Sequence, residues 1–169
     1  MKLIGAILCI AAFLLSGTVS LENEKRKAEA YGGLSAAFTN MKNELCAKLL
    51  PLTELTARAE ESSEGCVKQL FKRVLRGFDE IGEKDFSVIW NEAVRESFPF
   101  FTQEQRRALC QPGAVLGQSA GETQRDCLEN TAAFFKAEEM KMKESLPGTE
   151  KLALGLSACA GFLTVIALY

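Results

Sequence analysis

Histidine is absent from all 169 residues, and this excludes much chemistry. Without an imidazole no Ser–His or Cys–His nucleophile can be assembled, and the usual zinc ligand sets are lost. Phosphate-binding glycine loops of the Walker or Rossmann kind are missing too, since Gly113, Gly117 and Gly121 follow no strand pattern. Carboxylates are plentiful but stand as neighbours, as in Glu60-Glu61 and Glu138-Glu139, which is how solvated helix faces read. Asp79, Glu80, Glu83 and Asp85 cluster without the Asp-x-Asp-x-Asp-Gly spacing of a calcium loop. There is no Asn-x-Ser/Thr sequon for an N-glycan. These gaps lead us to expect a protein that is not an enzyme and takes no metal or cofactor.

A basic excess is also lacking. Twenty Lys and Arg face 22 Asp and Glu, a net charge of -2, so no nucleic-acid footprint is expected. The densest basic patch, Lys25-Arg26-Lys27, is surrounded by Glu22, Glu24 and Glu29. It reads as a solvated helix end.

What is present is a layout: both ends are uncharged, and nearly every charge lies between them. Leu3 to Leu21 and Leu152 to Tyr169 carry no charged residue. Met1-Lys2, the apolar run Leu3–Leu15 and the small residues Ser16–Ser20 match the n-, h- and cleavage regions of a signal peptide, cut after Ser20. An uncleaved membrane helix is the alternative. The C-terminal run follows a short polar stretch and has no polar face. It suits a GPI-attachment signal, with Gly148 as the attachment residue. A single membrane span or a buried helix are the competing readings. The expected organisation is therefore residues 1–20 as signal peptide, 21–148 as a helical extracellular domain, and 149–169 as a GPI signal or transmembrane segment.

Six cysteines are present. Cys9 and Cys159 fall in the uncharged ends, which leaves Cys46, Cys66, Cys110 and Cys127. In the oxidising compartment that a signal peptide implies, two disulfides are expected. The favoured pairing is Cys46–Cys66 with Cys110–Cys127, each closing a loop worth about 3 kcal/mol in the chain-entropy account.

Between the ends the hydrophobic spacing is helical. Leu34, Phe38, Met41, Leu45 and Leu49 recur at steps of three and four. Gly32-Gly33 suggests that this helix begins near Leu34, and Pro51 stops it. A second helical stretch spans Thr53 to Phe78, with Thr53 as its cap and Ser62-Ser63-Glu64-Gly65 as a break point. A third runs from Glu83 to Ser97 and ends before Pro99. Thr102-Gln103-Glu104-Gln105 reads as a capping box opening a short helix, stopped by Gln111-Pro112-Gly113. Pro112 to Gly121 reads as a loop, and a last helix runs from Glu122 to about Ser145. The fold class is all-α: a small disulfide-stapled bundle of four or five helices.

Two stretches are candidate binding surfaces: the aromatic knot Phe98, Phe100 and Phe101 around Pro99, and the loop Pro112 to Gly121. The competing reading of the knot is core closure between the third and fourth helices. The function expected from all this is a non-enzymatic cell-surface protein, GPI-anchored, acting in recognition or adhesion or as a surface antigen. A secreted or tethered helical carrier of a lipid or other apolar ligand is the alternative. Its partners would be a membrane, through a lipid anchor or a C-terminal span, and an unknown protein.

Overall fold

A computed structural model describes the backbone of residues 2–48, 50–118 and 121–168, and the side chains of residues 23–47, 50–118 and 121–145. The described residues form six α-helices and no strand: α1 Lys2–Lys48, α2 Leu52–Glu61, α3 Gly65–Gly77, α4 Phe86–Ser97, α5 Gln103–Val115 and α6 Gly121–Leu168. A single 3₁₀ turn, Phe78–Glu80, follows α3. The all-α class holds, with more helices than the four or five expected. The chain divides into two compact units, one of residues 1–29 with 139–169 and the other of residues 30–138.

The first unit consists of the outer parts of α1 and α6. Its described side chains make short-range ion pairs, Lys27–Glu24 at 2.9 Å and Lys143–Glu139 at 2.6 Å. The signal peptide, its cleavage after Ser20, the attachment at Gly148 and the C-terminal anchor segment all fall where side chains lie outside the described residues.

The second unit holds the core. Leu34, Phe38, Met41 and Leu45 of α1 are buried as their spacing demands. The helix does not start at Leu34, however, but runs straight through Gly32 and Gly33. Two helical glycines cost about 1 kcal/mol each relative to alanine. Packing explains at least one of them: a Cβ on Gly33 would lie 3.1 Å from the Val67 Cγ2 of α3. The glycine lets two helices approach instead of ending one.

The break expected at Ser62–Gly65 is real and separates α2 from α3. Gly65, at φ 55°, turns the chain in a conformation that favours glycine. Thr53 does not cap α2; Pro51 holds the N-cap position with no side-chain bond. Buried Thr56 instead returns its hydroxyl to Leu52 O at 2.7 Å. The third expected helix starts three residues late, at Phe86, because Glu83 and Lys84 N–H bond back to Glu80 O in the turn. Arg73 of α3 then ties α3 to α4 through Glu96 at 2.9 Å and Ser97 Oγ at 3.1 Å.

Thr102 and Gln105 form the capping box in full: Gln105 N–H donates to Thr102 Oγ1 at 3.3 Å, and Thr102 N–H to Gln105 Oε1 at 3.1 Å. The helix it opens is longer than expected, because α5 continues through Pro112 to Val115. Pro112 and Gly113 are buried, and they belong to the core. Trp90 packs against Phe38, Phe71 and Phe86, with ring centres 6.3, 6.2 and 5.8 Å away. Its Nε1 donates to Leu109 O at 2.8 Å, and the Gly113 backbone lies directly against its side chain. The proline's missing N–H is tolerated because the surrounding packing fixes this last turn of helix.

Candidate functional site

Phe98 and Phe101 are buried, and only Phe100, at 38% exposure, reaches solvent. Phe98 stacks on Phe101 at 4.5 Å, and Phe101 meets Tyr31 at 5.5 Å and Phe135 at 5.7 Å. The knot thus joins α1, the α4–α5 link and α6, which is the core-closure role. Gln105 adds a polar tie, its Nε2 donating to Glu138 Oε2 at 2.6 Å.

The four cysteines with described side chains are free thiols: exposed Cys46 on α1 and half-buried Cys66 on α3, Cys110 on α5 and Cys127 on α6. Neither expected staple is formed, which corrects the disulfide-stapled reading. The four residues stand on four different helices, and burial of apolar surface carries the fold without covalent closure. Arg125 Nη1 approaches Cys46 Sγ at 4.0 Å. Burial pushes the Cys110 thiol above its ordinary range, against the opposing pull of Arg106 and Arg95. Cys127 is likewise raised by burial, against a hydrogen bond with Thr131. Since the thiolate is the reactive form, a thiol-specific alkylating reagent at pH 8 should modify Cys46 first and Cys110 and Cys127 slowest. Peptide mass mapping over a time course reads the order. Equal rates at all three would show that the described burial does not hold.

The acidic cluster folds into the α3–α4 turn. Lys84 sits within it, 2.9 Å from Glu80 and 3.5 Å from Glu92. Glu80 chiefly, and Glu92 after it, raise the lysine's pKa. No group of metal-ligating side chains occurs among the described residues.

The feature that spacing did not single out is a groove of about 440 Å³ between α1 and α6 in the second unit. On α1 it is lined by Gly32, Ser35, Ala36, Thr39 and Lys42; on α6 by Glu129, Ala132, Ala133 and Lys136. The helices run antiparallel here, since Tyr31 stacks with Phe135 at 6.2 Å while Lys42 pairs with Glu129 at 3.4 Å. Thr39 donates its hydroxyl to Ser35 O at 2.8 Å, so its proton is satisfied within the helix. The signal was present in the sequence: positions 32, 35, 36 and 39 share a helix face, and no charge occurs from Tyr31 to Met41.

Six helices among the described residues, packed around an aromatic core, define an all-α protein. Its family is specific: residues 2–169 match the family model of stage III sporulation protein AB. The chain belongs to that family. Comparison with curated proteins and with solved structures finds no match.

This membership overturns the expected function and location. A member of a bacterial sporulation family is not a GPI-anchored recognition, adhesion or antigen protein of a eukaryotic cell surface, nor the secreted lipid carrier weighed against it. The secretory, lipoprotein and disulfide features attached to that reading go with it. The error arose from assigning uncharged ends to eukaryotic processing. Among the residues with described side chains, no helix is long and apolar enough to cross a membrane.

Proposed function

We propose that the chain serves stage III of sporulation as a non-catalytic helical protein, with a membrane as the contact for its uncharged ends and a protein as the contact for its 30–138 unit. One observation carries the reading: the family match runs from residue 2 to residue 169 and so takes in both uncharged ends together with the charged middle. Apolar helical surface without a charged residue finds its favourable environment away from water. The charged middle offers ion-paired helix faces and, between α1 and α6, a groove whose centre is lined by small side chains. A protein without histidine contributes through what it holds together.

Deleting the gene from the spore-forming host tests the first part. Heat-resistant spores should fall to near background, with development halted at the third stage, and the intact gene should restore them. Wild-type spore counts in the deletion strain would refute the role. Fractionation tests the membrane contact: the chain should sediment with membranes, and a form lacking residues 3–21 and 152–169 should move to the soluble fraction. A full-length chain found mostly in the soluble fraction would refute that contact.

A further inference from the structure

We propose that the α3–α4 turn is a docking surface for a protein partner that presents an apolar side chain flanked by lysines or arginines. The proposal rests on the reading of a protein contact for the 30–138 unit, and gives that contact a place and a chemistry. Among the described residues four large apolar side chains are exposed, and two of them, Ile81 at 50% and Val88 at 42%, flank this turn. The turn spends its aromatic rings on the core: Phe78 stacks on Phe86 at 5.7 Å, and Phe86 meets Trp90 at 5.8 Å. Ile81 and Val88 are left facing water, as anchor positions of an interface are in the free protein.

Lys84 joins the two into one surface. A β-bridge pairs its backbone with Ile81, and its ammonium lies 3.5 Å from Glu92. Val88 precedes Glu92 by one helical turn and shares its face, so Val88 stands on the side of α4 that the Lys84 side chain follows.

Charge selects the occupant. Between Phe78 and Asp85 the only cation is Lys84, and it is held by Glu80 at 2.9 Å and by Glu92. Asp79, Glu83 and Asp85 are exposed and form no ion pair among the described residues. Residues 76–92 hold two basic and five acidic residues, a net charge of -3 where the whole chain has -2. The negative charge of the molecule is thus concentrated around Ile81 and Val88. An anionic membrane surface is repelled here, and a second copy would set like charges against each other. A basic segment is attracted, and an apolar side chain within it covers the exposed pair.

The test places the photoreactive apolar residue p-benzoylphenylalanine at position 81 of the full-length chain in sporulating cells. A second strain carries it at exposed position 36, in the α1–α6 groove. Cross-linked peptides are identified by mass spectrometry. The probe at 81 should join the chain to a protein segment in which basic residues outnumber acidic ones around the attachment point. Asp79→Asn, Glu83→Gln and Asp85→Asn together should cut that yield at least fivefold at an unchanged level of the chain. Val88→Ser should also lower it. Cross-links from position 81 to lipid, to a second copy or to an acidic segment overturn the proposal, as does a yield that the triple neutralisation leaves unchanged. If position 81 captures nothing while position 36 captures a protein, the proposal fails and the protein contact stands. If neither position captures a protein, both fall.

Discussion

Replacing Trp90 with alanine lowers the stability of the folded chain by about 3–5 kcal/mol, the range for truncating a large buried aromatic. Trp90 has no exposed surface and is the only tryptophan in the chain. It touches rings from three separate elements: Phe38 on α1, Phe71 on α3 and Phe86 of its own helix. Truncation leaves a cavity that these rings cannot collapse to fill, because each is held by its own helix. It also removes the donor that Leu109 O accepts at 2.8 Å. Trp90→Phe keeps most of the ring and loses that bond, so its cost should be nearer 1–2 kcal/mol. Urea unfolding of the full-length chain, followed by far-ultraviolet circular dichroism, measures both. Whole-domain stabilities are only about 5–15 kcal/mol, so Trp90→Ala should shift the midpoint conspicuously. A loss below about 1 kcal/mol would mean that Trp90 is not the centre of the core.

The parts of the fold legible in the sequence were those governed by periodicity and local hydrogen bonding. The α1 positions Leu34, Phe38, Met41 and Leu45 share one face by arithmetic and are buried together. The Thr102–Gln105 box is a local motif and forms as written. Gly32-Gly33 and Pro112-Gly113 were misread for a common reason. Glycine and proline report a local cost, and whether a helix ends there depends on what tertiary packing returns. Val67 lies against Gly33, and Trp90 against Gly113. Neither contact is visible along the chain, since each partner sits more than twenty residues away.

The groove was harder to read because its residues carry no distinctive chemistry. Gly32, Ser35, Ala36 and Thr39 draw notice only when their exposure is known, since the same spacing serves a buried close contact equally well. The cysteines failed differently. Their pairing followed from a compartment, and the compartment from the uncharged N-terminus, so one processing assumption carried both conclusions. The helices packed around Cys66, Cys110 and Cys127 need no staple to explain their burial.

Gly113→Ala carries the other large effect, and its sign is the informative part. In an exposed helix interior this change stabilises by about 1 kcal/mol, because alanine loses less backbone freedom on folding than glycine. Here a Cβ would fall 2.5 Å from Trp90 Cγ, 2.6 Å from Cδ1 and 2.7 Å from Cβ. Those atoms include the root of a side chain fixed on α4 and bonded to Leu109 O, so the indole cannot swing aside. Overpacking of this kind costs about 1–3 kcal/mol, enough to reverse the propensity gain. Gly121→Ala is the control, since nothing lies within 4 Å of its added carbon, and it should be neutral or slightly stabilising. The clash has a single identified partner, so the two sites must couple. In a Trp90→Ala background, which removes the Cγ and Cδ1 contacts and keeps only the Cβ contact at 2.7 Å, Gly113→Ala should destabilise by markedly less. If Gly113→Ala costs the same with and without Trp90, the close approach of α5 to α4 is not what requires glycine there.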